Sequence, residues 1–318
     1  MMKKMTYLNI NKKVVKKIIN FLLVIFTSTF VYAQQVPHYT QYLYNMEVVN
    51  PAFVGVKADM SISLLSRQQW VGVDGAPETN TLSVSGRLNE GLGMGATVIH
   101  DKIGLAETTN LNIDASYTIT TSRYGRLSFG LKGGYTFFNN NLSNGITSDG
   151  DVYPSINGGY VNFGFGGVYY NKRFFIGASI PNILKPSTFL TESNINNTGG
   201  VSVNNYFLTS GGVINISDDI IFKPTTLIKY SPNLPLSIDL NTNFIYKNKI
   251  EAGLSYRYNS SFSALFAIFI SKKYRVGYSY DYNLTDFGGN LSSHEIILRF
   301  DLKLKRKGRW LLENTCYF

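Results

Sequence analysis

The sequence is poor in cysteine and histidine. It contains one cysteine, Cys316, so a single chain can form neither a disulfide framework nor a cysteine-based metal site. The three histidines, His38, His100 and His294, do not lie at metal-ligand spacing with one another or with the cysteine. No group of residues forms a recognisable catalytic constellation. The sequence therefore predicts no cofactor, no metal site and no enzymatic activity.

Charged residues and long apolar runs are also scarce. Mean hydropathy is close to zero, and the longest apolar run near the start, residues 18–26, is shorter than the roughly 20 residues that a membrane-spanning helix needs. Charged residues make up 16% of the chain, whereas aromatic residues make up 14% and there are 29 glycines. This balance argues against a helical membrane bundle and is more typical of an all-β membrane wall than of a soluble enzyme.

Residues 1–33 have the pattern of a signal peptide. The apolar run follows a positive region and precedes Val31-Tyr32-Ala33, a small-residue end that predicts cleavage before Gln34. Cleavage removes six lysines and no acid, so the formal net charge falls by six, from +10 to +4. Because most of the basicity belongs to the leader, we expect no nucleic-acid partner. The six lysines are Lys3, Lys4, Lys12, Lys13, Lys16 and Lys17.

From residue 58 onward, apolar and polar residues alternate in segments of about 9 to 13 residues, the length that a tilted strand needs to cross a bilayer. In residues 294–304, for example, Ile296 and Leu298 alternate with Glu295 and Arg299. Strands of a soluble β-sandwich, the alternative interpretation, average only about 5 or 6 residues. The pattern therefore favours a transmembrane barrel over a sandwich.

The spacing predicts an all-β fold, an up-and-down antiparallel transmembrane β-barrel of about 14 strands spanning residues 58–304. Every second connection is a tight turn, whereas the others include long segments at residues 139–157 and 181–202, as in bacterial outer-membrane barrels. An even strand number places both termini in the periplasm. The predicted strands are 58–67, 78–88, 91–101, 107–120, 126–138, 158–170, 172–181, 203–216, 219–230, 235–247, 249–258, 262–270, 273–283 and 294–304.

The polar faces of these strands carry charges of both signs. An ion channel tends to line its constriction with one sign. Mixed signs instead favour a lumen that is cross-braced by ion pairs, and hence a scaffold over an open pore. The residues expected to face the lumen are Arg87, Asp114, Lys132, Lys223, Asp239, Glu251, Arg257, Arg275, Asp281, Glu295, Arg299 and Asp301.

Two short motifs are weak candidates for ligand sites. Ser148-Asp149-Gly150-Asp151 could supply carboxylates to a calcium ion, although a simple turn is the favoured interpretation. The glycine-rich residues 91–95 lack the spacing and the following helix of a dinucleotide-binding loop. Small residues facing a crowded barrel wall explain them better.

Two segments carry a family resemblance. The first is residues 67–79, RQQWVGVDGAPET, in which Asp-Gly and Pro mark a loop between the first two strands. The second lies upstream, where QYLYN at residues 41–45 is followed by NPAFVG at residues 50–55. Together these motifs resemble the PorP/SprF family of outer-membrane β-barrels, which is associated with type IX secretion in Bacteroidetes.

The resemblance implies a location in the outer membrane of a Gram-negative bacterium of the Bacteroidetes type. It implies secretion or surface anchoring of a large adhesin-like cargo, in some members linked to gliding motility, with other type IX secretion components and outer-membrane lipid as partners. A porin or transporter for a small solute is the alternative, and an outer-membrane lipase or protease is the least favoured. The candidate residues for partner binding or for a lumen plug are Gln41, Tyr42, Asn45, Asn50, Pro51, Arg67, Gln69, Trp70, Asp74, Gly75, Ala76 and Pro77.

Three segments outside the strands leave alternatives open. Residues 34–57 show no steady period, so we expect an irregular N-terminal segment that could plug the lumen. The loop at Trp70 is either an exposed contact or an element folded into the barrel mouth, where Trp70 and Tyr42 would hold the barrel closed. In the second case the two motifs could meet inside the barrel. Residues 305–318 are either a solvated basic periplasmic tail or a docking peptide.

Overall fold

The computed structural model describes residues 39–56, 60–141, 143, 154–183, 204–232, 234–284 and 291–302, all within the unit Val36–Phe318. The predicted signal peptide, the candidate calcium loop at Ser148-Asp149-Gly150-Asp151 and the predicted tail at residues 305–318 lie outside the described residues. Within the described ranges, no helix is both long enough and apolar enough to cross a membrane.

Antiparallel strands form a single sheet that closes on itself. The strands are β1 (Met60–Gln68), β2 (Glu78–Arg87), β3 (Leu92–Ile103), β4 (Ala106–Thr120), β5 (Arg126–Asn140), β6 (Ile156–Tyr170), β7 (Phe174–Ile180), β8 (Tyr206–Gly212), β9 (Ile214–Asn215), β10 (Ile220–Tyr230), β11 (Ser237–Tyr246), β12 (Ile250–Arg257), β13 (Ser261–Phe269), β14 (Tyr274–Asn283) and β15 (Ser292–Leu302). Strands adjacent in sequence pair with each other, and β1 pairs with β15, which completes the ring.

Strands β8 and β9 are two parts of one interrupted strand. Only Val213 separates them, and both pair with β10, which also pairs with β11. The fifteen segments therefore make a closed barrel of fourteen antiparallel strands. The predicted fold class and strand number are confirmed.

Connections alternate between the two ends of the barrel, because successive antiparallel strands run in opposite directions. One end, here called the turn end, is formed by residues 88–91, 121–125, 171–173, 216–219, 247–249 and 270–273. The other, the loop end, includes the described residues 69–77, 104–105, 141, 143, 154–155, 181–183, 204–205, 231–232, 234–236, 258–260, 284 and 291. The first and last barrel residues, Met60 and Leu302, pair with each other at the turn end.

The two faces of the wall differ in chemistry. Along β13, Ser263 and Ala267 are buried, whereas Phe262, Phe266 and Ile268 on the opposite face are half exposed. The same alternation places serine, threonine, asparagine and charged side chains inward along most other strands. Polar residues inside and large apolar residues outside are the arrangement of a barrel that faces lipid.

Residues 39–56, which we call the lumen segment, lie inside the ring. Tyr42–Tyr44 and Pro51–Phe53 form 3-10 turns, and Met46–Val49 forms one turn of α-helix. Every residue of the segment except Val48 is buried. Because helices this short are unstable alone in water, contacts with the wall must hold this conformation.

Candidate functional site

The first residues of the lumen segment bind two carboxylates of the wall. The backbone N–H of Thr40 donates to Glu295 Oε2 at 3.0 Å, and that of Gln41 donates to Glu295 Oε1 at 2.7 Å. The Thr40 hydroxyl donates to the Asp281 carboxylate at 2.8 Å. The Gln41 amide also donates to the Glu295 carbonyl oxygen at 3.0 Å. Both acids are thus hydrogen-bonded directly to the segment.

Arg67 offsets the charge of these acids. Its Nη1 lies 2.7 Å from Asp281 Oδ2 and 3.2 Å from Glu295 Oε2, and all three side chains are almost completely buried. Arg67 Nη1 also donates to the Thr40 hydroxyl at 3.4 Å. We call Thr40, Gln41, Arg67, Asp281 and Glu295 the anchor cluster. Since its charged groups come from β1, β14 and β15, the cluster spans the seam where the first and last strands meet.

Aromatic side chains continue the segment across the lumen. The Tyr42 hydroxyl donates to Thr225 Oγ1 at 3.4 Å. The Arg275 guanidinium lies 5.0 Å from the centroid of the Tyr44 ring, and Arg299 donates to the Tyr44 carbonyl oxygen. Both tyrosine side chains are almost completely buried.

Two carbonyl groups of the short α-helix accept hydrogen bonds from the wall. Asn45 is buried, and its backbone links the first 3-10 turn to the helix, since its N–H donates to the Tyr42 carbonyl oxygen at 3.0 Å. Lys132 Nζ donates to the carbonyl oxygens of Glu47 and Val48, both at 3.2 Å. These carbonyls have no partner within a four-residue helix. A charged side chain of β5 therefore satisfies them.

The second half of the segment is bound by a backbone carbonyl of β6 and a side chain of β2. Asn50 Nδ2 donates to the Gly167 carbonyl oxygen at 3.1 Å, while its Oδ1 accepts from the Ala52 N–H at 2.9 Å. At the far end, Arg87 Nη2 donates to the Gly55 carbonyl oxygen at 2.7 Å. Asn50 thus fixes both the wall contact and the following 3-10 turn.

Glycines of the wall allow the lumen segment to approach closely. A Cβ added at Gly130 would collide with the backbone of Pro51 and Ala52. A Cβ at Gly277 would lie 2.5 Å from Gln41 Oε1. Similar collisions define a set that we call the seat glycines, Gly93, Gly130, Gly166 and Gly277. Gly93 belongs to the glycine-rich residues 91–95, where the sequence predicts small residues against a crowded wall.

The loop at residues 69–77, which we call the first outer loop, has the opposite environment. Val71 and Val73 are 48% and 45% exposed, and Asp74 and Gly75 are exposed as well. Gln69, Trp70 and Ala76 are half-buried, whereas Pro77 is buried. The tip of the loop is therefore exposed, whereas the side chain of Trp70 beside it is half-buried.

Backbone hydrogen bonds brace the first outer loop against its neighbours. The Gln69 N–H donates to the Pro77 carbonyl oxygen at 2.9 Å and closes the base of the loop. The Gly104 N–H donates to the Gly75 carbonyl oxygen at 2.9 Å, so the β3–β4 turn supports the tip. A cleft of about 360 Å³ lies between the loop, Lys102 and Gly104. Backbone hydrogen bonds within the loop and to neighbouring parts of the barrel therefore order it, while its valines remain exposed.

The candidate residues fall into two groups. Gln41 and Arg67 meet through Glu295, and Tyr42, Asn45, Asn50 and Pro51 share the lumen with them, whereas Gln69, Trp70, Asp74, Gly75, Ala76 and Pro77 lie in the first outer loop. Arg67 belongs by motif to the loop and by contact to the lumen. Alternation along β1, which puts Arg67 on the face of Ser61 and Ser63, is the sequence signal for this. Thr40 and the seat glycines were absent from the predicted site.

The predicted cross-bracing of the lumen is present. Lys132 pairs with Asp114 at 3.6 Å, Lys223 with Glu251 at 3.8 Å, Arg257 with Asp239 at 2.8 Å and Arg299 with Asp301 at 2.9 Å. Glu295 and Arg299 share a strand face, but four residues of strand separate them by about 13 Å. Glu295 pairs across the sheet with Arg67 instead.

Comparisons with known proteins agree with this architecture. The family model described as type IX secretion system membrane protein PorP/SprF matches residues 31–300. No curated protein matches the chain.

Several solved outer-membrane structures have a similar course of the chain. The outer membrane protein Omp33 of Acinetobacter baumannii is 10% identical, with a TM-score of 0.47 and coverage of 78% of this chain and 100% of that one. A Pseudomonas aeruginosa FadL homologue is 10% identical, with a TM-score of 0.43 and coverage of 85% and 95%. The CymD monoaromatic hydrocarbon channel is 13% identical, with a TM-score of 0.44 and coverage of 84% and 94%. Likeness at this level carries no argument about function.

Proposed function

Because this chain belongs to the PorP/SprF family of type IX secretion system membrane proteins, we propose that it is a closed scaffold of that system rather than an open channel. A closed antiparallel barrel of this family is an outer-membrane protein of a Gram-negative bacterium and a secretion-system component, not an enzyme. In the proposal, the barrel helps to secrete or anchor an adhesin-like cell-surface protein. It does so together with other type IX components in a Bacteroidetes-type cell, and contributes to gliding motility where that occurs.

The lumen segment is the observation that carries this proposal. It is buried across its length, and the wall donates or accepts hydrogen bonds at Thr40, Gln41, Tyr44, Glu47 and Gly55. Contacts from so many strands are typical of a permanent structural element. They support the interpretation of residues 34–57 as a plug, with Gln41, Tyr42, Asn45, Asn50 and Pro51 as plug residues.

A porin or small-solute transporter ranks second. Such a protein needs a continuous aqueous path through its lumen. In the described part of the chain, the lumen segment and paired charges occupy the interior, and no observation specifically favours transport. The scaffold is therefore the better account of the same barrel.

The first outer loop is the proposed docking surface for the cargo. Trp70 and the exposed valines provide apolar contact area, and the braced backbone of Gly75 and Pro77 limits the entropy lost on binding.

Two further parts of the proposal concern the chain ends. Residues 1–33 direct export, and residues 305–318 lie in the periplasm as a basic tail.

Recovery of a surface protein tests the docking role. We expect the detergent-solubilised wild-type protein to retain a large cell-surface protein, and a strain lacking the barrel to stop displaying it. A variant with residues 71–75 replaced by Gly and Ser should lose that partner. Tyr258→Ser, which alters an exposed residue on a different loop-end connection, is the control. If deletion strains still display their adhesins, the secretion role is wrong.

Conductance tests the closed lumen separately. We expect purified full-length protein in planar bilayers to show no large, steady conductance. A stable open current at neutral pH would contradict the plug and favour the porin alternative.

A further inference from the structure

Lysine and arginine are concentrated at the turn end of the barrel. Among the described residues of this end there are three acids, Glu90, Asp218 and Asp219, and of its exposed cations only Lys247 lies near one, 3.7 Å from Asp219. The exposed cations there are Arg123, Lys172, Arg173, Lys247, Lys249, Lys272 and Lys273. The exposed turn end is therefore strongly positive.

The depth of these cations in the membrane follows from their neighbours. Each of five cations is directly adjacent in sequence to a side chain that is apolar or aromatic and 41–54% exposed. The pairs are Arg123 with Tyr124, Arg173 with Phe174, Lys247 with Tyr246, Lys249 with Ile250 and Lys273 with Tyr274. Because the connections are short, the charges cannot project far from the apolar wall. They therefore lie at the depth of lipid headgroups.

Two of these cations lie close to the same aromatic side chain. Lys172 Nζ lies 4.8 Å from the centroid of the Tyr124 ring, and Arg123 Cζ lies 5.4 Å from the same centroid. The two cations come from different turns, β4–β5 and β6–β7, and Arg173 follows Lys172. We call Arg123, Tyr124, Lys172 and Arg173 the basic cluster. It presents three positive charges beside an aromatic surface at the membrane interface.

We propose that the basic cluster binds the phosphate headgroup of an anionic phospholipid in the periplasmic leaflet. Guanidinium and ammonium groups donate to phosphate oxygens, while Tyr124 and Phe174 contact the start of the acyl chains. The first strand begins and the last strand ends at the turn end. Bacterial outer-membrane barrels have their short turns in the periplasm, so we assign the turn end to the periplasm. This proposal depends on the membrane barrel and not on the secretion role, so either can fail without the other.

Lipid retention measures the proposed site. The folded, full-length protein is placed in nanodiscs of equal phosphatidylglycerol and phosphatidylcholine, and the bound lipids are counted by native mass spectrometry. We expect anionic lipid to be enriched on the order of fivefold at low salt. The variant Arg123→Gln/Lys172→Gln/Arg173→Gln should lose most of this enrichment, and 0.5 M salt should weaken it through screening.

Lys102→Gln is the control, since Lys102 is exposed at the loop end and paired with Glu107 at 3.0 Å. It should retain the wild-type lipid ratio, and heat-modifiable gel mobility should show that every variant is folded. Equal retention of both lipids by the wild type would overturn the proposal. So would unchanged enrichment in the triple variant, or displacement of the lipid by millimolar inorganic phosphate. Loss of a periplasmic protein with an unchanged lipid ratio would make the cluster a protein-binding site instead.

Discussion

The lumen segment and the first outer loop carry the two motifs of the family resemblance, yet their environments are opposite. Almost every residue of the lumen segment is buried, and wall side chains complete its hydrogen bonds. The first outer loop is held mainly by its own backbone, and Val71 and Val73 remain exposed. Side chains in the first region are thus tied to the stability of the barrel, whereas the exposed valines in the second are not.

Arg67 lies at the junction of the two regions and gives the largest expected effect. Arg67→Met leaves Asp281 and Glu295 buried without their cation, so we expect a loss of about 3–5 kcal/mol in the free energy of unfolding. Urea unfolding in lipid vesicles measures this loss. The combined variant Arg67→Met/Asp281→Asn/Glu295→Gln should recover part of it, because no unpaired charge remains.

Lys102→Met is the comparison for this variant. Its ion pair with Glu107 is partly solvated, so its loss should change the free energy of unfolding by less than about 1 kcal/mol. Equal effects of the Arg67 and Lys102 substitutions would show that the anchor cluster does not hold the lumen segment.

Gly130 tests the fit of the lumen segment against the wall. Gly130→Ala pushes a methyl group into Pro51 and Ala52 and should cost about 1–3 kcal/mol of unfolding free energy. Gly133 lies on the same strand, but its added Cβ would find its nearest neighbour at 3.9 Å. Gly133→Ala should therefore be neutral or slightly stabilising. Equal destabilisation by both substitutions would mean that contact with the lumen segment is not the cause of the loss.

The first outer loop should give the smallest effect on stability. Val71→Ser/Val73→Ser alters two exposed side chains and leaves the bracing backbone intact, so unfolding free energy should shift by no more than about 0.5 kcal/mol. Partner affinity should fall on the order of tenfold, because apolar contact area is lost. Pull-down measures the change in partner affinity, and unfolding in vesicles measures the change in stability of the same preparation. A large loss of stability would place the valines within the fold.

Much of the barrel could be predicted from sequence, because successive side chains of a strand point to opposite faces and those faces differ in polarity. Alternation and turn residues located the fourteen strands close to their observed ends. The interruption at Val213 was not foreseen, since the predicted strand at residues 203–216 contains apolar residues on both sides of it. An interruption of one residue does not visibly change the alternation of apolar and polar residues in the sequence.

The site was harder to predict, for a physical reason. The short turns of the lumen segment have no period of their own, because partners on many strands determine them. Gly130 and Gly166 read from sequence as weak strand residues, and only the segment packed against them explains their small size. Arg67 could have been assigned to the lumen, because it lies on the same face of β1 as Ser63. The prediction grouped it with the loop motif instead.

The anchor cluster also bears on how the chain assembles. The lumen segment precedes every strand, yet Asp281 and Glu295, which hold its first residues, lie on the last two strands. A partly formed sheet that ends at β13 therefore lacks the two carboxylates that bind Thr40 and Gln41. The contacts of Arg67 with both acids form only when β1 reaches β15. Closing the barrel and fixing the first residues of the lumen segment are consequently coupled.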